Sequence, residues 1–216
     1  QCRDPNGRRA KEPMEDNVRT FVAIEFHGHV RSALVKLVGQ LARARVDGLR
    51  PVNPLETHLT LKFLGNVPSA RLESMASEIR RAVSGQHSFT IALNGAGVFP
   101  KKDEPRVLWV GIDGDLSALS ALHKAVEDAL EKLGFSRERR EFSPHLTVAR
   151  IRNGTPADDR WRAREALFSA TTFDQVIRID VDHISLMQSI LLPEGATYLR
   201  LARITLTDPD AQIAAN

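Results

Sequence analysis

The chain has 216 residues, of which 42% are hydrophobic and 26% charged, and its formal net charge is +3 at pH 7, an ordinary balance for a globular protein. Its single cysteine, Cys2, excludes an internal disulfide and a zinc site built on several cysteines, and no apolar run reaches the roughly 20 residues that span a bilayer. These features predict a cytoplasmic protein without a membrane segment, while the mild positive charge discriminates little between partners.

The middle of the chain alternates between helical and strand patterns and is flanked by polar ends. Residues 1–17 are predicted to form a disordered head, residues 18–208 a single bilobal domain, and residues 209–216 a flexible tail. In chain order, the predicted elements are a strand at 19–26, a helix at 29–44, a strand at 58–64, a helix at 66–84, strands at 88–99 and 106–112, a helix at 115–133, a strand at 145–151, a helix from Thr155 (N-cap) and Pro156 (first helical residue) to about 168, and strands at 174–192 and 198–207.

The order of these elements is written roughly twice. Each half contains a helix followed by a strand that opens with His, apolar, Thr, apolar: "HLTL" at His58 and "HLTV" at His145. Consecutive long strands joined by short turns favour antiparallel sheets over a parallel one. The sequence therefore predicts an α+β fold of two similar lobes, which would place the two motif strands face to face across a cleft.

Each motif offers one imidazole and one hydroxyl from a rigid strand. Alternate side chains of a strand share a face, so His58 should lie beside Thr60, and His145 beside Thr147. One such motif carries little information, because a lone histidine on a strand is usually half-exposed or hydrogen-bonded. With only seven histidines in the chain, two matched copies in matched positions indicate a shared chemical task.

Other side chains near the motifs are weaker candidates for substrate contacts. Lys62 is expected on the face of His58, where it would add positive potential toward the substrate or only line the rim of the cleft. Arg150 should point away from His145 unless the strand twists or bulges, so contact with a phosphate stays open. Phe21 is expected in the core rather than against a nucleobase, with Tyr198 as the other aromatic candidate. The basic residues 137–140 are interpreted as a solvated loop.

Two imidazoles with two hydroxyls suit phosphoester cleavage without a metal. One neutral imidazole can accept a proton from water while a protonated one donates to the leaving oxygen, and threonine hydroxyls can donate to the phosphate oxygens. Groups contributed from two lobes would lie on opposite sides of phosphorus, as in-line displacement requires. A zinc site lacks a third ligand on either motif face, and Lys62 would repel a cation. No cofactor is therefore expected.

At these residues the sequence resembles the 2H phosphoesterase superfamily, and within it the RNA 2′,3′-cyclic phosphodiesterases, also called 2′-5′ RNA ligases. The matching segments include "RTFVAIEF", "THLTLKFLGNV", "RVLWVGI", "FSPHLTVAR" and "SLMQSILLPEGATYLRLARITL". The resemblance implies a bilobal, pseudo-twofold fold with two antiparallel sheets lining a central cleft and helices outside. It also implies that His58 is the proton donor, that His145 is the base, and that Thr60 and Thr147 anchor the phosphate. The implied product is a 2′-phosphomonoester, with ligation as a weak reverse reaction.

The expected partner is an RNA end or nucleotide with a 2′,3′-cyclic phosphate, acted on by a monomer without an obligate protein partner. One alternative is a related enzyme for small cyclic nucleotide phosphates or 2′-5′ oligonucleotides, which would use the same catalytic residues. A second alternative is a noncatalytic RNA-binding module that keeps the cleft. Replacing His58 by alanine would leave the function of such a module unchanged, whereas it would abolish most of an enzyme's rate.

Overall fold

The computed structural model describes residues 16–101, 103–171, 176–192 and 195–207. This part of the chain forms nine strands and four α-helices. In chain order they are β1 (Asn17–Glu25), α1 (Gly28–Arg43), β2 (Leu49–Pro51), β3 (His58–Pro68), α2 (Leu72–Val83), β4 (Phe89–Lys101), β5 (Glu104–Gly114), α3 (Leu116–Lys132), β6 (His145–Ile151), α4 (Ala157–Ala170), β7 (Ile177–Val181), β8 (His183–Leu192) and β9 (Gly195–Thr205). None of the described helices is long and apolar enough to cross a membrane.

The strands form two sheets. The first has the order β3-β1-β8-β9, and the second has the order β2-β6-β5-β4-β7. All pairings between these strands are antiparallel. This arrangement confirms the predicted α+β fold with two antiparallel sheets, and it assigns one motif strand, β3 or β6, to each sheet.

Helices α1 and α3 each pack against the sheet opposite to the one that contains the preceding strand. Helix α1 follows β1 of the first sheet, yet it packs with α4 against the second sheet, which the chain joins next at β2. Helix α3 connects β5 to β6 of the second sheet, yet it packs with α2 and β3 on the first. Most buried apolar side chains of both lobes belong to one continuous cluster, and Phe21, Ala23 and Met187 form a small second cluster. Each lobe therefore needs chain from the other to cover its sheet, so the two motif strands are held in a fixed relation.

Apolar spacing in the sequence predicts a buried stripe on each of α1, α2 and α3, and the structure buries these residues except Leu72 and Leu133, which are half-buried. The predicted start of α2 at residue 66 is wrong. Strand β3 continues to Pro68 because its second half pairs with the first residues of β1, down to Asn17 opposite Pro68. A 3₁₀ turn, Ser69–Arg71, then leads into α2. Pairing with a neighbouring strand outweighs local helical spacing here, since Val67 is buried by it. Asp16 and Asn17 are the only residues of the predicted head that the structure describes, and the predicted tail lies outside the described residues.

The predicted long strand at 174–192 is two strands in different sheets. Strand β7 pairs with β4 in the second sheet, whereas β8 pairs with β1 in the first. The chain changes sheets at Asp182, between the two strands. A run of strand-forming residues does not reveal such a crossing, because the local pattern favours a strand whichever sheet that strand joins. Residues 174 and 175 lie outside the described residues.

The predicted start of α4 is also wrong by one residue. Pro156 is the extended N-cap residue and the helix begins at Ala157. The hydroxyl of Thr155 donates instead to the carbonyl of Arg152, at 2.8 Å. Thr155 lies against Gly48, where a β-carbon would come within 2.0 Å of the Thr155 hydroxyl oxygen. The Thr155 side chain thus packs between its own loop and the loop that contains Gly48, and it does not cap the helix.

Candidate active site

The two motif strands approach each other where the sheets meet. The backbone N–H of Val52 donates to the carbonyl of Val148 at 3.0 Å, so the segment between β2 and β3 leads from one motif strand to the other. The aliphatic neighbours Leu59 and Leu146 are fully buried on the opposite faces. The face opposite to these leucines, called the cleft face below, carries four half-buried motif side chains: His58, Thr60, His145 and Thr147. The side-chain directions predicted from alternation therefore hold for both motifs.

The two histidines are held in the same way. Nδ1 of His58 lies 2.9 Å from the carbonyl oxygen of Glu56, and Nδ1 of His145 lies 2.8 Å from the carbonyl oxygen of Ser143. A carbonyl oxygen only accepts, so Nδ1 carries a hydrogen in each ring. In the neutral ring Nε2 is then a free acceptor, and in the cation it is a donor. Each imidazole is oriented so that one nitrogen can move a proton.

Aromatic side chains pack against both imidazoles. Phe21 stacks on His58 with ring centroids 4.6 Å apart, and Tyr198 meets the same ring edge-on at 4.7 Å. Phe99 meets His145 edge-on at 5.0 Å. Phe21 is only 1% exposed, which confirms its expected core role. These rings restrict the orientation of each imidazole without using its nitrogens.

Both motif strands contain a bulge directly after the threonine. In β3 the register with β1 shifts between Thr60 and Lys62. An extra residue turns the following side chains to the other face. Lys62 therefore points into the helix layer, where it is only 6% exposed and bonded to Glu127 at 2.7 Å. The prediction that Lys62 lies on the motif face is wrong, because simple alternation does not survive the bulge.

The matching bulge in β6 has the opposite consequence for Arg150. The register with β5 shifts between Thr147 and Ala149, so Arg150 turns to the motif face and is exposed there. Burial raises the pKa of Tyr198, and the positive charge of Arg150 acts against this effect. The bulge thus places Arg150 on the face of the motif residues, while its contact with a phosphate stays a prediction.

Phe63 is a cleft residue that the sequence reasoning missed. It occupies in β3 the position that Arg150 occupies in β6, three residues after the threonine. Its ring is 68% exposed and its centroid lies 5.9 Å from that of Phe21. The signal available in the sequence was the apolar pair Val148 and Ala149. Two consecutive inward residues break the alternation of a strand and indicate a bulge in the second motif, and the repeat extends this indication to the first motif.

Glu56 is a second residue that the sequence reasoning missed. Its backbone carbonyl orients His58, while its carboxylate accepts the Tyr198 backbone N–H at 3.2 Å and the Thr197 hydroxyl at 3.4 Å. Burial lowers the pKa of His58, and the carbonyl and charge of Glu56, together with Glu25, act against that effect. Glu56 therefore links the start of β9 to the first motif and favours the protonated imidazole.

Comparison with known proteins assigns this chain to a family. The family model described as the 2′-5′ RNA ligase superfamily matches residues 32–190. The chain belongs to the 2′-5′ RNA ligase superfamily. It is 36% identical over 176 residues to the RNA 2′,3′-cyclic phosphodiesterase of Aeropyrum pernix, covering 78% of this chain and 96% of that one. It is 34% identical over 187 residues to the enzyme of that name from Archaeoglobus fulgidus, covering 84% and 96%.

Solved structures agree with this membership of the 2′-5′ RNA ligase superfamily. A protein from Thermus thermophilus superposes with a TM-score of 0.70 at 26% identity, covering 88% of this chain and 99% of that one. Escherichia coli LigT complexed with 3′-AMP superposes with a TM-score of 0.68 at 22% identity, covering 89% and 100%. The second similarity concerns the fold alone. The resemblance seen in the sequence is therefore confirmed for family and fold.

Within this superfamily member, the charge of Glu56 makes a testable contribution to His58. We expect Glu56→Gln to lower the pKa of His58 further, because the amide removes the negative charge that favours the imidazolium but keeps the shape of the side chain. Titration of the His58 ring by NMR measures this directly. Glu165→Gln on α4 is the control and should leave the His58 titration unchanged. An unaltered His58 pKa in Glu56→Gln would show that the carboxylate has only a structural part.

A cavity of about 530 Å³ adjoins the cleft at the end of β1 but is not lined by either motif histidine. Its charged side chains are largely paired with one another: Arg200 donates twice to Glu25, at 2.7 and 2.9 Å, and Arg203 donates to Asp182 at 3.3 Å. Burial by itself raises the pKa of Glu25, but the bonds and charge of Arg200 outweigh it and lower that pKa. The cavity therefore offers little free charge for an anionic substrate.

The remaining polar candidates lie outside the cleft. Among the described residues, no group of three or more His, Cys, Asp or Glu side chains is arranged to hold a metal ion. Arg137, in the basic segment 137–140, is paired with Asp128 and with Glu131 of α3. His123 stacks on Phe142 with ring centroids 4.0 Å apart. These side chains belong to the packing around α3 and not to the motif face.

Proposed function

We propose that the chain is an RNA 2′,3′-cyclic phosphodiesterase that opens the cyclic phosphate at an RNA end to a 2′-phosphomonoester. The observation that carries the proposal is the matched pair of imidazoles. In each ring Nδ1 is fixed on a carbonyl and no described residue bonds Nε2, and each ring lies beside a threonine hydroxyl. Relatives that match most of the chain are named RNA 2′,3′-cyclic phosphodiesterase.

In the proposed reaction the two histidines have opposite roles. Nε2 of His145 accepts a proton from water as the water oxygen bonds to phosphorus. Protonated Nε2 of His58 donates its proton to the ribose 3′ oxygen as the bond from phosphorus to that oxygen breaks. The phosphate stays on the 2′ oxygen, and exchange of protons with solvent restores both rings.

The surroundings of His58 support its role as the acid. Burial lowers its pKa, which makes the imidazolium a stronger acid, while Glu25 and Glu56 favour the protonated form. The negative charge of a bound cyclic phosphate acts in the same direction as the two carboxylates. His58 can therefore hold its proton in the complex with substrate and release it readily to the leaving oxygen.

The phosphate itself is assigned to the hydroxyls of Thr60 and Thr147 and to the guanidinium of Arg150. The hydroxyls stand next to the two histidines on the same strand faces, and the bulge in β6 turns Arg150 to that face. Donors aimed at the non-bridging oxygens stabilise the charge that develops there. Because one chain contributes both motifs, a monomer holds all of these groups; the monomeric state and the cytoplasmic location stay predictions.

The test uses a short RNA that ends in a 2′,3′-cyclic phosphate, incubated with the protein in EDTA, with the position of the terminal phosphate read afterwards by mass spectrometry of nuclease digests. Ring opening to a 2′-phosphate is expected, and EDTA should not reduce the rate. A 3′-phosphate product, or an unopened ring, would contradict the proposal. A mononucleotide 2′,3′-cyclic phosphate that reacts as fast as the RNA would favour a small nucleotide as the substrate.

The exposed ring of Phe63 supports a nucleobase contact next to the phosphate. Stacking of a base on an aromatic side chain contributes about 1–3 kcal/mol, so we expect Phe63→Ala to raise KM by roughly tenfold while kcat changes little. Steady-state kinetics on the same RNA measure both constants. Trp161→Ala on α4, where the ring is 58% exposed, is the control. An unchanged KM in Phe63→Ala would remove this ring from the substrate site.

The same geometry allows a weak ligation that competes with hydrolysis for the cyclic phosphate. If the 5′ hydroxyl of a second RNA replaces water as the nucleophile, His145 accepts its proton and the bond from phosphorus to the 3′ oxygen breaks as before. The product is a 2′-5′ phosphodiester, in line with the superfamily description. Water is present in large excess, so hydrolysis is the expected direction.

A further inference from the structure

Lys62 and Glu127 form a buried ion pair between β3 and α3. Nζ of Lys62 lies 2.7 Å from both carboxylate oxygens of Glu127 and donates to the carbonyl of Ser136 at 2.9 Å. The two residues are 6% and 4% exposed. Burial of two charges is unfavourable unless their hydrogen-bonding groups are satisfied. All three donors of this ammonium group have an acceptor, and one of the acceptors is loop backbone.

The loop that the pair contacts leads into the second motif. We call residues 134–144, which connect α3 to β6 without helix or strand, the second-motif loop. Lys62 holds its Ser136 carbonyl, and Glu127 accepts the N–H of Glu138 at 3.3 Å. Toward its end, the ring of Phe142 stacks on His123, one helical turn before Glu127.

The last contact of this loop is made by the proposed base itself. The carbonyl of Ser143 accepts the Nδ1–H of His145 at 2.8 Å and so fixes which ring nitrogen faces the cleft. The position of that carbonyl depends on the loop backbone, which has no ladder of its own to hold it. A contiguous set of contacts thus runs from the first motif strand, through α3 and the loop, to the histidine of the second motif.

We propose that Lys62 and Glu127 are positioning residues for His145, an inference that rests on the proposed function. An apolar pair of similar size would fill the space between β3 and α3 equally well, and buried ion pairs are often replaced in this way without loss of stability. An apolar pair could not hold the Ser136 carbonyl or the Glu138 N–H. The charges are therefore used to fix the second-motif loop, beyond any part in packing.

The test separates stability from positioning with the double variant Lys62→Met/Glu127→Leu. Each single substitution leaves one buried charge unpaired and should lower Tm by about 10 °C, whereas the double variant should regain most of that loss. We expect its kcat on the cyclic-phosphate RNA to stay roughly tenfold below wild type, with KM within about twofold, because His145 is less well oriented. Glu127→Gln, a smaller change, should reduce kcat in the same direction.

A second readout requires no catalysis. In ¹⁵N NMR spectra of the neutral protein, wild-type His145 should carry its proton on Nδ1, and the double variant should show a mixture with Nε2. The control Arg162→Met, which removes an exposed pair with Asp159 on α4, should leave Tm, kcat and the tautomer unchanged. Wild-type kcat together with the wild-type tautomer in a folded double variant would overturn the inference. Because the tautomer is read without substrate, it decides the positioning role even if the proposed reaction fails.

Discussion

His58→Ala and His145→Ala should each lower kcat/KM for a cyclic-phosphate RNA by about 10²- to 10⁴-fold, since each removes one proton-transferring group from the transition state. Neither substitution should unfold the protein, because both rings lie half-buried at the cleft and not in the common core. Single-turnover rates on the RNA measure the chemical step, and circular dichroism confirms the fold. Wild-type rates in either variant would contradict the proposed mechanism and favour a binding module.

The same two variants can identify which histidine is the acid. In a substrate with sulfur in place of the 3′ oxygen, the leaving thiolate is far more stable than an alkoxide and needs no proton donor. His58→Ala should therefore recover most of its rate on this substrate, while His145→Ala should stay slow because water still needs a base. Recovery of His145→Ala instead would reverse the two roles.

The pH dependence of kcat/KM gives a second way to identify the acid. In the wild type, kcat/KM should follow a bell-shaped pH profile, because the reaction needs one protonated and one neutral imidazole, and its fall at high pH is assigned to loss of the proton from His58. On the sulfur substrate, His58→Ala should lose the falling limb and show only a rise with pH. A falling limb that persists in His58→Ala would assign the donor to another group.

Local sequence patterns predicted the elements that depend on local spacing. The period of apolar residues is sufficient for the buried stripes of α1, α2 and α3, and the alternation in each motif is sufficient for its first three residues. The exchange of α1 and α3 between the sheets, and the crossing at Asp182, depend on contacts between distant segments. Nothing in the short-range pattern records which sheet a strand joins.

For the site, the bulges mark where sequence reasoning fails. Lys62 and Arg150 each lie on the face opposite to the predicted one, because one extra residue in each strand reverses the side chains that directly follow it. Glu56 could not be found from spacing either, since its function depends on β9, which is remote in the chain. Pattern rules predict faces within a regular strand, whereas the details of a site depend on its irregular points.

Arg150→Gln should lower kcat/KM on the cyclic-phosphate RNA by about 10²- to 10³-fold, an effect comparable to the loss of a donor that stabilises transition-state charge. Arg150→Lys should lie between Gln and wild type, because it keeps the charge but loses the planar fork that binds two phosphate oxygens. Arg152→Gln, an exposed arginine two residues further along the chain, is the matched control and should be nearly silent. If Arg150→Gln and Arg152→Gln lower kcat/KM by similar amounts, the guanidinium of Arg150 only adds general positive potential. A large loss of kcat/KM in the Arg150 variants alone would show that Arg150 binds the phosphate during the reaction. The single extra residue of the β6 bulge would then be the feature that turns this side chain to the substrate.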